Sequence, residues 1–186
     1  MTGEPAAAAD RVEPYRPYFM TSQRIGFGEW ADGDDGLAEA IWGDPEVTKL
    51  TGGPFSAEQV HARLASEIAN LRRAGIQYWP IFRLDTGEPL GCCGLRPREA
   101  ETGVFELGYQ LRREAWGQGY ASEAARTVVA WAAANGVPAL IAGHHPENHA
   151  SKRTLQRLGF AYTHDELYPP TGLMEPCYRL QLAEPN

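Results

Sequence analysis

The segment Trp116-Gly117-Gln118-Gly119-Tyr120-Ala121-Ser122 is the part of the chain best equipped for chemistry. It follows a strand-like run at residues 105–111 and opens an alanine-rich run that reads as a helix. The first amides of a helix have no partner within it, and the helix dipole adds partial positive charge there, so such a junction suits a phosphate. Gly117 and Gly119 let the main chain come close to a ligand, and Ala121 is nearly as small. The Gly-Lys-Ser/Thr tripeptide of a P-loop is absent. A dinucleotide-binding turn needs an acid at the end of the next strand, where this chain has His144-His145. Two readings of the turn alone remain: a pyrophosphate loop, or a glycine turn that holds nothing.

A second segment, Pro146-Glu147-Asn148-His149-Ala150-Ser151-Lys152, begins another helix directly after the following strand and runs on to Leu158-Gly159-Phe160. Together the two segments resemble the GNAT acetyltransferase superfamily, in particular its branch of ribosomal-protein N-terminal acetyltransferases. Residues 116–121 are similar to the family's pyrophosphate motif Gln/Arg-x-x-Gly-x-Gly/Ala, with Trp116 where Gln or Arg is commonest. The Asn-x-x-Ser helix closing in Leu-Gly-Phe is the second likeness, and the order of elements extends it from about Thr21 to Leu182. The resemblance implies transfer of acetyl from acetyl-CoA to a primary amine, either a protein N-terminal α-amine or a small molecule. It implies that main chain around Leu111 and Arg112 binds pantetheine as an added strand would. It also implies that the amides of Gly117, Gln118, Gly119, Tyr120, Ala121 and Ser122 hold the pyrophosphate. Asn148 would bond the cofactor arm and Lys152 would meet the 3′-phosphate; Asn148 reads equally well as a helix N-cap. A homodimer follows from family habit alone.

Acetyl transfer needs a neutral amine, a donor for the oxyanion and a proton or hydrogen bond for the departing thiolate. Ser151, at the Asn-x-x-Ser position, is the candidate beside the thiolate, or else a first-turn serine bonding backbone. Glu106 is the candidate internal base; strand alternation puts it on one face with Gly108 and Gln110, which is either a cleft or a solvated face. Tyr168 is a further leaving-group donor, by the resemblance. Direct transfer requires no covalent enzyme intermediate, so neither Cys92 nor Cys93 is needed as a nucleophile. His145 and His149 are four apart but straddle a strand-to-helix junction with no cysteine near, and no metal is expected. The competing function is a non-catalytic acyl-CoA-binding module, with the same turn but no working acid and base.

The elements that must position these groups read in the order β-α-α-β-β-β-α-β-α-β-β. That order predicts an α/β fold of the GNAT type, one mixed sheet with helices on both faces. Strands are expected at residues 24–30, 78–84, 90–95, 104–111, 139–144, 160–167 and 176–182. Helices are expected at 34–42, 56–75, 120–135 and 148–158, the second opened by the capping-box pair Ser56 and Gln59. Residues 1–20, rich in Ala and Pro, read as a loose tail draped on a single domain spanning 21–186. The acceptor pocket should be built from residues 34–56, the helix that follows and the 168–174 loop. Trp30, Trp42, Tyr78 and Trp79 read as core or as pocket wall, with core the expectation.

With 186 residues the chain is large enough for one core without staples, and its net charge of −7 argues against a nucleic-acid partner. Three cysteines, two of them adjacent, do not form a disulfide framework; reduced core residues in a cytoplasmic protein are expected. No apolar stretch is long enough to span a bilayer, and the N-terminus lacks the basic start of a secretory signal.

Overall fold

The computed structural model describes residues 16–99 and 101–182. Its strands are β1 (Met20–Thr21), β2 (Ile25–Phe27), β3 (Tyr78–Arg83), β4 (Pro89–Glu99), β5 (Val104–Leu111), β6 (Ala139–Gly143), β7 (Ala161–Tyr168) and β8 (Leu173–Gln181). Its helices are α1 (Asp35–Trp42), α2 (Pro45–Thr48), α3 (Ala57–Ala74), α4 (Tyr120–Ala134) and α5 (His149–Arg157). The strands form one mixed sheet in the order β1-β2-β3-β4-β5-β6-β8-β7, the α/β architecture expected. Among the described residues no helix is long and apolar enough to cross a membrane.

Several sequence signals act as written. Ser56 caps α3 with the reciprocal Gln59 bond, and Gly75 closes it in the left-handed conformation at φ 69°. Every other residue of a strand faces the same way, so Cys92 and Cys93 join two different cores. One core lies under α4 and α5, where Ala124, Ala125, Val128 and Ala132 let the helix sit close on Trp79, Ile81 and Leu107. The other lies under α1 and α3 and contains Trp30, Trp42, Val60, Leu64 and Tyr78. All three cysteines are free thiols.

Other boundaries differ from expectation. Residues 44–48 were expected to lie outside any helix. Instead Asp44 accepts from the amides of Glu46 and Val47, and Pro45 stands in the first turn of α2, where its missing N–H costs nothing. The last strand begins at Leu173, three residues before the expected start, with Pro176 inside it. Pro176 is tolerated because β6 has ended there; Gly143 pairs with Cys177 and with nothing beyond. Of the segment read as a tail, residues 1–15 lie outside the described residues. Arg16 pairs with Asp34 at 2.5 Å, Tyr18 stacks on Phe82, and Met20 pairs with Phe27 in β1.

Candidate active site

The central feature is a fork in the sheet. Strands β5 and β6 run parallel but pair only at Phe105 with Leu140 and Glu106 with Ile141. Beyond Glu106, β5 continues to Leu111 with no partner on that side. On its other side it stays bound to β4, and Arg112 N–H closes that ladder on the Leu90 carbonyl at 2.9 Å. Alternation along an antiparallel ladder then turns the backbone groups of Leu107, Tyr109 and Leu111 into the gap. Leu111 lies at the end of this unpaired edge. The amide of Arg112 is already bonded to β4, and the Leu111 carbonyl accepts from the Trp116 indole at 2.8 Å.

A cavity of about 820 Å³ occupies the fork and reaches both faces of the sheet. On the α5 side, Asn148 caps the helix, its Oδ1 accepting from the Ser151 amide at 3.0 Å. Ser151 is 9% exposed, and its hydroxyl lies 2.8 Å from the hydroxyl of Tyr109. Burial pushes the Tyr109 phenol up to about 12, although its bond to Ser151 opposes the shift. Tyr109 stays protonated at neutral pH, and the hydroxyl pair can pass a hydrogen bond to a group in the gap. Sequence reasoning placed Tyr109 on the face opposite Glu106 without giving it a role. The signal was available only as a partner 42 residues away.

On the opposite face Glu106 lines the same cavity. Its carboxylate accepts from the Tyr78 hydroxyl at 3.1 Å and has Arg98 at 3.9 Å. Tyr78 is buried as expected, and its ring carries the guanidinium of Arg96 at 4.2 Å and that of Arg63 at 5.5 Å. Both arginines converge on Glu67, fully buried on α3, at 2.5 Å and 3.1 Å. The Glu67 carboxylate also accepts from the Tyr78 amide at 2.9 Å. Nothing in the sequence marked Glu67, which sits among alternating charges on a helix. Tyr168 also lines the cavity, at the end of β7 rather than on a loop, and burial raises its phenol. The β7–β8 turn meets the loop before α3: a Cβ on Gly52, at φ 92°, would lie 2.6 Å from Pro170.

The glycine turn lies at the start of α4. Gly117 and Gly119 take φ 71° and 82°, a region open to glycine at little cost. A Cβ on Gly117 would meet nothing within 4 Å, so conformation and not crowding demands the glycine. Gly119 is the N-cap and supplies no side-chain bond, leaving the first amides of α4 to a ligand or to water. The turn is braced from below: Arg24 donates to the Gln118 carbonyl at 3.1 Å, pairs with Glu123 at 2.7 Å and lies 4.4 Å from the Tyr120 ring centre. The Ser122 hydroxyl reaches Thr154 of α5 at 3.3 Å, tying the two helix starts together. Lys152 is exposed beside this junction.

Cys92 and Cys93 are fully buried, and burial drives both thiols up, Cys92 to about 12, so neither is an available thiolate. Among the described residues one set, His164, Glu166 and Cys177, brings metal-ligating atoms within 4.8 Å of one another. The guanidinium of Arg98 is already paired with Glu166 there.

The chain is 33% identical over 122 residues to p20, an uncharacterized N-acetyltransferase of Bacillus licheniformis, covering 64% of this chain and 68% of that protein. An acetyltransferase from Agrobacterium tumefaciens superposes with a TM-score of 0.75 at 23% identity, over 94% of this chain and 99% of the other. The RimL ribosomal-protein alpha-N-acetyltransferase in complex with coenzyme A superposes with a TM-score of 0.74 at 16% identity, over 86% and 95%. Residues 24–161, from the brace at Arg24 through the fork and both helix starts, match the acetyltransferase (GNAT) domain, and the chain belongs to that family.

Proposed function

We propose that the protein is an acetyl-CoA-dependent N-acetyltransferase acting on a primary amine. The observation that carries this reading is the fork: an unpaired stretch of β5 edge, with Leu107 and Tyr109 lining a cavity that opens on both faces of the sheet. A slim extended arm can pair with that edge, and the uncapped amides from Gly119 onward can take a diphosphate. Bound acetyl-CoA supplies the acetyl group as a thioester.

The chain's own residues then divide the work. Main chain of Leu111 holds the end of the arm, while the Arg112 amide stays in the β4 ladder. Gly117, Gln118, Gly119, Tyr120, Ala121 and Ser122 cradle the diphosphate, Asn148 orients the arm, and Lys152 meets the outer phosphate. Ser151, backed by Tyr109, meets the departing sulfur with a hydrogen bond. Glu106 faces the incoming nitrogen from the other side of the sheet, with Tyr168 at the rim. The acceptor is a protein N-terminal α-amine, the substrate class in RimL's own name, or a small primary amine.

Calorimetric titration with acetyl-CoA, followed by a thiol-release assay over N-terminal peptides and small primary amines, tests the proposal. Binding with amine-dependent thiol release is expected. Binding without release from any amine would leave a non-catalytic CoA module, and no binding would remove the reading altogether.

A further inference from the structure

Glu175 is an acid with an unmet need. It lies on β8, is 8% exposed and lines the cavity, and its Oε1 has no hydrogen-bond partner among the described residues. A buried carboxylate oxygen left bare costs folding free energy, and this one lines the cavity where a ligand's donor could satisfy it. The cations nearby are engaged elsewhere: Arg63 and Arg96 are bound to Glu67, and Arg98 to Glu166. The position is also telling. Gly143 is the last β6 residue to pair with β8, opposite Cys177, and Glu175 lies two residues further on. It therefore stands at the open end of the fork, on the same side of its strand as Cys177 and Arg179.

We propose that Glu175 and Glu106 together form a cation subsite for the acceptor's ammonium, in which Glu175 takes the proton that frees the nitrogen lone pair. This deepens the N-acetyltransferase reading and rests on it. The two acids differ in surroundings. Glu106 has Tyr78 and Arg98 to support its charge. Glu175 has burial and the charge of Glu106 raising its proton affinity, opposed by a bond from Thr171. Tyr168 is neutral beside them, as is Cys177, whose thiol burial pushes up to about 11. A carboxylate whose site disfavours charge is the better proton acceptor of a pair.

The step balances. The ammonium gives one proton to Glu175, which passes it to solvent. The lone pair so freed forms the N–C bond, the C–S pair leaves on sulfur, and the second nitrogen proton goes to that sulfur through the Ser151 and Tyr109 hydroxyls. The products are the amide, free thiol and one proton.

The test is Glu175→Gln in the full chain, with the amine that the wild type acetylates fastest from a panel of Ser- and Ala-started tripeptides and small alkylamines. The variant should keep its acetyl-CoA affinity and melt no lower than wild type. At neutral pH it should lose roughly hundredfold in kcat/KM. That loss should shrink as pH rises toward the amine's own pKa, where free amine no longer needs a base. An unchanged pH profile, or a lowered melting temperature with the loss constant in pH, overturns the subsite while leaving the enzyme reading intact. Wild-type protein that binds acetyl-CoA but acetylates no amine, or does not bind it, overturns both.

Discussion

On the α4–α5 side of the sheet, the site is made of main chain, glycines and one cap; on the α1–α3 side, it is a knot of charged and aromatic side chains. The first side depends on where the backbone goes: the φ of Gly117 and Gly119, the parting of β5 from β6, the Asn148 cap. The second depends on contacts between residues far apart in the chain. Glu67 gathers Arg63 and Arg96, which flank Tyr78, which in turn reaches Glu106. A coenzyme of fixed shape is met by fixed backbone. In the proposed reading the acceptor is met by side chains, which can be exchanged without disturbing the sheet.

That contrast can be broken or sharpened by experiment. The largest effect should come from Glu67→Ala, which leaves two arginines without their buried partner and should cost about 3–5 kcal/mol of stability by urea denaturation. The protein that remains folded should bind acetyl-CoA with wild-type affinity; loss of both together would show that the two sides are not separable. Next is Gly119→Asp, which forces a side chain into φ 82° and sets a carboxylate against the diphosphate. A loss of about 100-fold in acetyl-CoA affinity is expected, read by calorimetry, with a melting temperature lowered by a few degrees from the backbone strain. Ser151→Ala should lower kcat by roughly tenfold or more while leaving acetyl-CoA affinity nearly intact, and Tyr109→Phe should follow it in the same direction. A wild-type rate in both would remove the hydroxyl pair from the reaction. The smallest effect belongs to Lys152→Ala, an exposed charge whose loss should weaken acetyl-CoA binding by roughly threefold, and less at high salt.

The same division governs what could be read from sequence. The turn at 116–122 and the Asn148 helix were legible because their chemistry is local: a few consecutive residues fix a cap or a left-handed glycine. The fork itself was available only through the family likeness, since no residue pattern records where β6 stops pairing. Helix α2 was missed because four residues carry no periodicity, and Pro45 reads as a stop as readily as a start. Tyr109 was on the right face but lacked its partner. Glu67 and Glu175 were invisible, because an acid in a charged helix or beside a proline looks solvated until the fold buries it. Trp116, read only as an odd motif residue, places its indole on the Leu111 carbonyl at the edge of the gap.

The unpaired edge of β5 has a further consequence. A bare strand at the rim of a sheet invites other chains to add to it, and proteins usually blunt such edges with charge, bulges or cover. Here the sticky stretch lies between β5 and β6, inside the sheet and flanked by helices, where a whole foreign strand cannot lie down. The molecule thus keeps an open template for hydrogen bonding throughout its working life without exposing it to its neighbours.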